Sequence, residues 1–169
     1  VFEKIISLKN IKIENLNEKD FLNRISTNLE QTYKELENTE RETIVKTRIG
    51  QSLFKYKLLK QGCKCKICGL DEEALLIASH IKPWKDSNNL EKLDIYNGFL
   101  LCPTHDKLFD SGLISFDDSG KIMISEKLNE KNYSKLHINR ELVISLIDGN
   151  LKYLSWHRKN VFKRDERKD

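Results

Sequence analysis

CKICGLDEEALLIASHIKPWKDSNNLEKLDIYNGFLLCPTHDKLFD, residues 65–110, is the stretch that decides the fold. Two ligand pairs bracket it: Cys65 and Cys68 at one end, Cys102 and His105 at the other, each pair with two residues between its members. A lone Cys-x-x-Cys is equally readable as a redox pair. The second pair at the same spacing completes a Cys₃His set, the donor chemistry of structural Zn²⁺, with Gly69 allowing the tight turn of a zinc knuckle. Cys63 is surplus; it could replace Cys65, but reads as a spare thiol.

Inside the bracket, LLIA (75–78) and GFLL (98–101) read as short buried strands. Pro103 suits the first turn of a short helix running to about Asp110. His80 falls at the end of the first strand, before a proline-marked loop, and Asn97 opens the second strand. Asp106 and Asp110 are four apart, which places both carboxylates on one helix face. Carboxylates suit a hard divalent cation and a histidine can take a proton from water, the requirements of metal-assisted phosphodiester hydrolysis.

Working outward, Asn17 reads as an N-cap, and Phe21, Leu22, Ile25, Leu29, Tyr33 and Leu36 form one apolar stripe of a helix. Residues 2–13 read as a strand-like or irregular lead-in. Ile44, Val45, Ile49, Leu53, Phe54, Leu58 and Leu59 predict a second helix, interrupted near Gly50 and stopped by Gly62. Residues 113–125 predict a hairpin around DDSG, and residues 141–162 a helix broken at Asp148, Gly149 and Asn150.

With 169 residues the chain has room for one domain plus an appended arm, divided here as an N-terminal arm over 1–40 and the main domain over 41–169. No apolar run approaches the roughly 18–20 residues that cross a bilayer, and no signal peptide opens the chain, which argues against membrane and secreted classes. The first residue is Val1, from which a fragment of a longer protein with an upstream domain is expected. Thirty basic and 26 acidic residues leave a net charge of only +4. The distribution is uneven: residues 46–66 hold seven cations and no acid, which suits either a solvated helix face or contact with a polyanion.

The combined pattern resembles the HNH endonucleases, in particular their bacterial restriction-type branch. The resemblance rests on ASHIKPW (78–84) and NGFLLCPTHDKLFDSGLISF (97–116), and extends to TIVKTRIGQSLFKYKLL (43–59) and YLSWHRKNVF (153–162). It implies an α+β fold: a ββα-metal core with a structural zinc site, flanked by N- and C-terminal helices and a β-hairpin. It implies a metal-dependent DNA endonuclease in which His80 is the general base, Asn97 fastens the loop that aims it, and Asp106 and Asp110 hold Mg²⁺ or Mn²⁺. His105 then belongs to zinc. Relatives carry a ligand immediately before the base histidine where this chain has Ser79, which leaves the third cation ligand open. Arg48, Gln51, Lys55 and Arg158 fall in segments expected to touch DNA, and Arg158 is equally suited to holding the tail helix to the core. Products with 5′-phosphate and 3′-hydroxyl ends, double-stranded DNA as substrate, a homodimer for double-strand cleavage and a cytoplasmic location follow as expectations. Two other roles fit the pattern: an effector nuclease of an antiviral system governed by an upstream sensor, and a zinc-braced DNA-binding module with a lapsed active site.

Overall fold

Short apolar strands bury themselves by pairing, and the LLIA and GFLL segments do so here. In the computed structural model, which describes residues 17–34 and 38–164, β1 (Ile77–His80) pairs antiparallel with β2 (Gly98–Leu101), Ile77 opposite Leu101 and His80 opposite Gly98. β2 is buried throughout and runs through Cys102 into helix α3 (Pro103–Asp110), whose first turn carries Pro103 as expected. Strand, strand and helix thus form the ββα unit that the resemblance implies.

Side chains alternate across a strand, so the ribbon has two distinct faces. On one, Phe99 packs against Phe109 of α3 (ring centroids 5.9 Å apart) and against Phe116 at 6.3 Å. Phe116 belongs to the hairpin β3 (Ile114–Phe116) and β4 (Ile122–Ile124), which forms where it was predicted. On the other face lies Phe54 of the long helix α2 (Asn38–Gln61), stacked on the His80 ring at 3.8 Å. Gly98 makes that approach possible, since a Cβ there would lie 2.3 Å from Phe54 Cζ. An N-terminal helix α1 (Glu18–Thr32) precedes α2; helix α4 (Asp148–Asn160) follows the hairpin and touches β3 and the turn before β2.

α1 (Glu18–Thr32) has Asn17 as its N-cap, the side chain accepting the Asp20 N–H, and buries Phe21, Ile25 and Leu29. Phe21 stacks on Tyr56 of α2 at 4.5 Å. Leu36 and the lead-in over residues 2–13 lie outside the described residues.

Three expectations are corrected. α2 (Asn38–Gln61) is uninterrupted at Gly50. The glycine there answers packing rather than a break, because the Trp84 ring would come within 3.1 Å of a Cβ at that position. β1 starts at Ile77, not Leu75: residues 73–75 form a 3-10 turn, and Leu75 and Ile77 face outward while Leu76 is buried. Asp148, Gly149 and Asn150 begin α4 (Asp148–Asn160) instead of breaking it. Asn150 is buried there, its Oδ1 accepting the Ile147 N–H at 2.9 Å and its Nδ2 donating to Tyr96 O at 2.7 Å. The residues before it are extended, Val143 bridging to Lys121 beside β4. Among the described residues no helix is long and apolar enough to cross a membrane.

Candidate active site and metal centre

The chain passes the zinc ligands at two places far apart in sequence, and pairing of β1 with β2 brings these together. One ligand atom from each of Cys65, Cys68, Cys102 and His105 lies within 4.8 Å of the others. His105 Nδ1 is 3.5 Å from Cys65 Sγ and 3.2 Å from Cys102 Sγ, and the Cys68 and Cys102 sulfurs are 4.0 Å apart. A tetrahedron with Zn–S bonds of about 2.3 Å has S–S edges of about 3.8 Å, so the cluster has the size of a zinc site. His105 Nε2 donates to the Leu136 carbonyl at 2.9 Å, which leaves Nδ1 as the lone-pair nitrogen facing the sulfurs. Burial pushes the Cys65 thiol up, but the His105 ring and the backbone N–H groups of Cys68, Cys102 and Ile67 outweigh it and hold the thiol at about 6. Cys63 stands outside this set.

Asn97 is fully buried and spends all its polar capacity on one loop. Its Oδ1 accepts the Lys82 N–H at 2.8 Å; its Nδ2 faces Lys82 O at 3.3 Å, Ser87 Oγ at 3.2 Å and Glu91 O at 3.0 Å. Residues 81–97 are closed into a compact loop by these contacts and by the Lys82–Glu91 ion pair at 2.7 Å. That loop presents the Lys92 carbonyl, 3.0 Å from His80 Nε2. A carbonyl only accepts, so Nε2 carries the proton and Nδ1 carries the lone pair. Phe54 on one face and Trp84 edge-on at 5.3 Å fix the ring plane. Burial lowers the His80 pKa below the ordinary imidazole value, only partly opposed by the Lys92 carbonyl, which keeps the ring neutral at neutral pH.

The opposite face of β1 carries Ser79, directed at α3. Its hydroxyl is buried and has no hydrogen-bond partner of proper geometry among the described residues. It lies near enough to Asp106 and Asp110 to draw both their pKa values down, yet both stay raised. For Asp106 the cause is burial; for Asp110 burial is joined by the charge of Asp106, and the carboxyl is pushed up to about 6. Three oxygen-bearing side chains therefore converge where the protein leaves carboxylate charge incompletely compensated, Lys107 offsetting only part of it. An orphaned buried hydroxyl beside two crowded carboxylates fits a hard, oxygen-preferring cation such as Mg²⁺ or Mn²⁺.

The structure thus brings Ser79, Asp106 and Asp110 together and sets His80 on the other side of the ribbon. The residues expected to meet DNA are placed differently. Arg48 donates to Gln51 at 3.1 Å, and both flank Gly50, which packs on Trp84 of the His80 loop. Lys55 is half-buried and its pKa is lowered by burial, with Glu73 nearby. Arg158 donates to Phe116 O at 2.8 Å and to Asp118 Oδ1 at 2.6 Å, so its guanidinium is used inside the chain. The sequence offered no sign of the Lys92 and Leu136 carbonyls, because backbone atoms carry no residue signature. Phe54 was legible only as a core position.

Residues 65–117 match the family model described as HNH endonuclease. No curated protein matches the chain. Among solved structures the chain is similar to one described as "Modification dependent TagI restriction endonuclease", with 20% identity and a TM-score of 0.43. That similarity covers 63% of this chain and 36% of the other, so this chain spans about a third of that enzyme's length.

Proposed function

Because residues 65–117 carry an HNH endonuclease domain, we propose that the chain hydrolyses phosphodiester bonds of double-stranded DNA with Mg²⁺ or Mn²⁺, as an endonuclease of restriction type. The observation that carries the metal dependence is Ser79, a buried hydroxyl with no well-formed hydrogen bond among the described residues that faces two carboxylates of raised pKa.

In this reading His80 Nδ1 accepts a proton from the attacking water. The Lys92 carbonyl holds the Nε2–H throughout and stabilises the imidazolium that forms. Asn97 keeps that carbonyl in place by closing the loop, and so acts on His80 rather than on substrate. Asp106 and Asp110 hold the cation, with Ser79 beside them; when bound, it supplies Lewis-acid stabilisation of the charge that develops at the phosphate and the leaving oxygen. Cys65, Cys68, Cys102 and His105 hold zinc, which ties the segment before β1 to the start of α3. Arg48 and Gln51 border the His80 loop and are placed to meet the DNA backbone, with Lys55 one turn further along α2. Two copies acting on opposite strands, in the cytoplasm, complete the proposal.

The test is plasmid nicking and linearisation with added Mg²⁺, Mn²⁺ or neither. A general base is worth about 10²–10⁴-fold. His80→Ala should lose that much while keeping DNA affinity and zinc content. Asp106→Ala and Asp110→Ala should also stop cleavage, with partial recovery at excess metal and weaker Mn²⁺ binding by calorimetry. If wild type cuts with neither metal, a zinc-braced DNA-binding module replaces the nuclease reading. If His80→Ala cuts as wild type does, the base lies elsewhere.

A further inference from the structure

The end of α3 that carries Asp110 is fastened to the C-terminal segment by a set of short contacts. His157 Nε2 donates to Phe109 O at 3.2 Å, and Lys163 N donates to Gly112 O at 2.9 Å. Ser125 Oγ donates to Lys163 O at 2.7 Å, tying the same segment to the end of the hairpin. Gly112 has φ +67°, and a Cβ there would sit 2.0 Å from the Val161 carbonyl. Only glycine permits this approach, so the segment after α4 is held against the backbone two residues beyond Asp110.

Against that fixed segment opens a cleft of about 400 Å³, lined by Lys127, Arg158, Lys159, Phe162, Lys163 and Arg164. Five of these six side chains are cationic and none is acidic. Arg158 is neutralised by Asp118, whereas Lys127, Lys159, Lys163 and Arg164 form no ion pair among the described residues. In the cation-rich stretch over 46–66, Lys46 and Lys57 have Glu42 and Glu18 as partners, while Lys55, Lys64 and Lys66 form no ion pair among the described residues. Lys127 reaches the cleft from the hairpin side, 31 residues before Arg158, so no sequence window reveals it.

The character of the cleft selects its ligand. A small phosphate site is built from directional donors, such as an arginine fork or converging backbone N–H groups. Here the Arg158 fork is taken by Phe116 O and Asp118, and the N–H groups of Val161, Phe162 and Lys163 are taken by His157 O and Gly112 O. What remains is Lys127, Lys159 and Lys163 with the exposed Arg164: three point charges on flexible stems and one exposed guanidinium, a set that follows a polyanion without demanding one geometry. Two residues of backbone span at most about 7 Å, so the wall of the cleft lies close to the carboxylate end of α3.

We propose that this cleft is a second, sequence-independent contact with the phosphodiester backbone of the substrate duplex, a few nucleotides from the phosphate at Asp106 and Asp110. The proposal rests on the nuclease reading above. Its test uses the whole zinc-loaded chain carrying His80→Ala, so that DNA is bound and not cut. Affinity for a duplex of about 25 base pairs is measured by fluorescence anisotropy between roughly 50 and 200 mM salt, with and without Lys127→Gln, Lys159→Gln and Lys163→Gln together. The triple variant should lose affinity equally for unrelated sequences, and its log–log salt slope should flatten by about 0.9 per lost phosphate contact. Lys163 is anchored through its backbone, so the melting temperature should hold. Lys159→Gln alone, at an exposed helix position, should remove about one contact's worth of slope. If the parent binds and the triple variant keeps its affinity and slope, the cleft proposal fails and the nuclease reading stands. If the parent binds no DNA, both fall. Saturable binding of inorganic phosphate that the triple variant loses, with the DNA slope unchanged, makes the cleft a small-anion site and overturns the proposal.

Discussion

Replacing Asn97 with alanine tests whether this side chain acts through the loop. The substitution removes the acceptor of the Lys82 N–H and the donor to Glu91 O, at a residue with no solvent exposure. Lys82 O keeps the Ser87 hydroxyl at 2.9 Å, so it is not abandoned. Each buried group left without its partner costs about 1–3 kcal/mol, which for two puts the loss at about 4 kcal/mol. For a chain of this size, at about 3 °C per kcal/mol, the melting temperature should fall by about 12 °C. Asn97→Asp should do little better: it keeps an acceptor for the Lys82 N–H but turns a second oxygen on the carbonyls that Nδ2 now serves. In both variants the loop releases the Lys92 carbonyl, and the acid limb of the cleavage–pH profile should move with the freed His80 ring. Thermal melts, zinc content and plasmid cleavage measured on the same preparations decide the matter. A variant that loses cleavage but melts within about 2 °C of wild type would show that Asn97 acts on substrate and not on the loop.

Zinc should be held stoichiometrically, and Cys68→Ser should lower both zinc content and melting temperature, because the site joins residues 65–68 to α3 and, through His105, to the Leu136 turn. Full zinc retention after Cys65→Ser and Cys102→Ser together would refute the ligand assignment. His157 is buried, accepts the Ser115 hydroxyl at Nδ1 and donates to Phe109 O, and burial pushes its pKa down to about 4 from 6.5. Its folded pKa is depressed, so its contribution is complete above pH 6.5 and is lost as pH falls toward 4, by roughly 3 kcal/mol over that window. Asp110, raised to about 6, pulls the opposite way between pH 3.8 and 6, so the measurement is the difference between parent and His157→Gln in melts from pH 7 to 4. An identical pH slope in the two proteins would mean that His157 already protonates in the fold.

Sequence spacing alone determined the features whose physics is local. Two ligand pairs at matched spacing named the four residues of the Cys₃His cluster, and the i, i+4 placement of Asp106 and Asp110 put both carboxylates at one site. Asn17, Pro103 and the DDSG turn marked their elements because caps, first-turn prolines and tight turns depend on a few neighbouring residues. Where an apolar or glycine-containing run had two local readings, tertiary packing chose between them. Gly50 became a place for Trp84, and Asp148, Gly149 and Asn150 became a helix start because Asn150 found the Tyr96 carbonyl. The side of the ribbon on which each catalytic candidate lies was likewise a product of register: Ser79 opposite Phe99 faces α3, and His80 opposite Gly98 faces Phe54. Which nitrogen of His80 is basic depends on a carbonyl twelve residues away, and the cationic cleft depends on Lys127, just beyond the hairpin, meeting the end of α4. Such features lie between segments distant along the chain, where closing the loops, and no property of any one window, decides which groups meet.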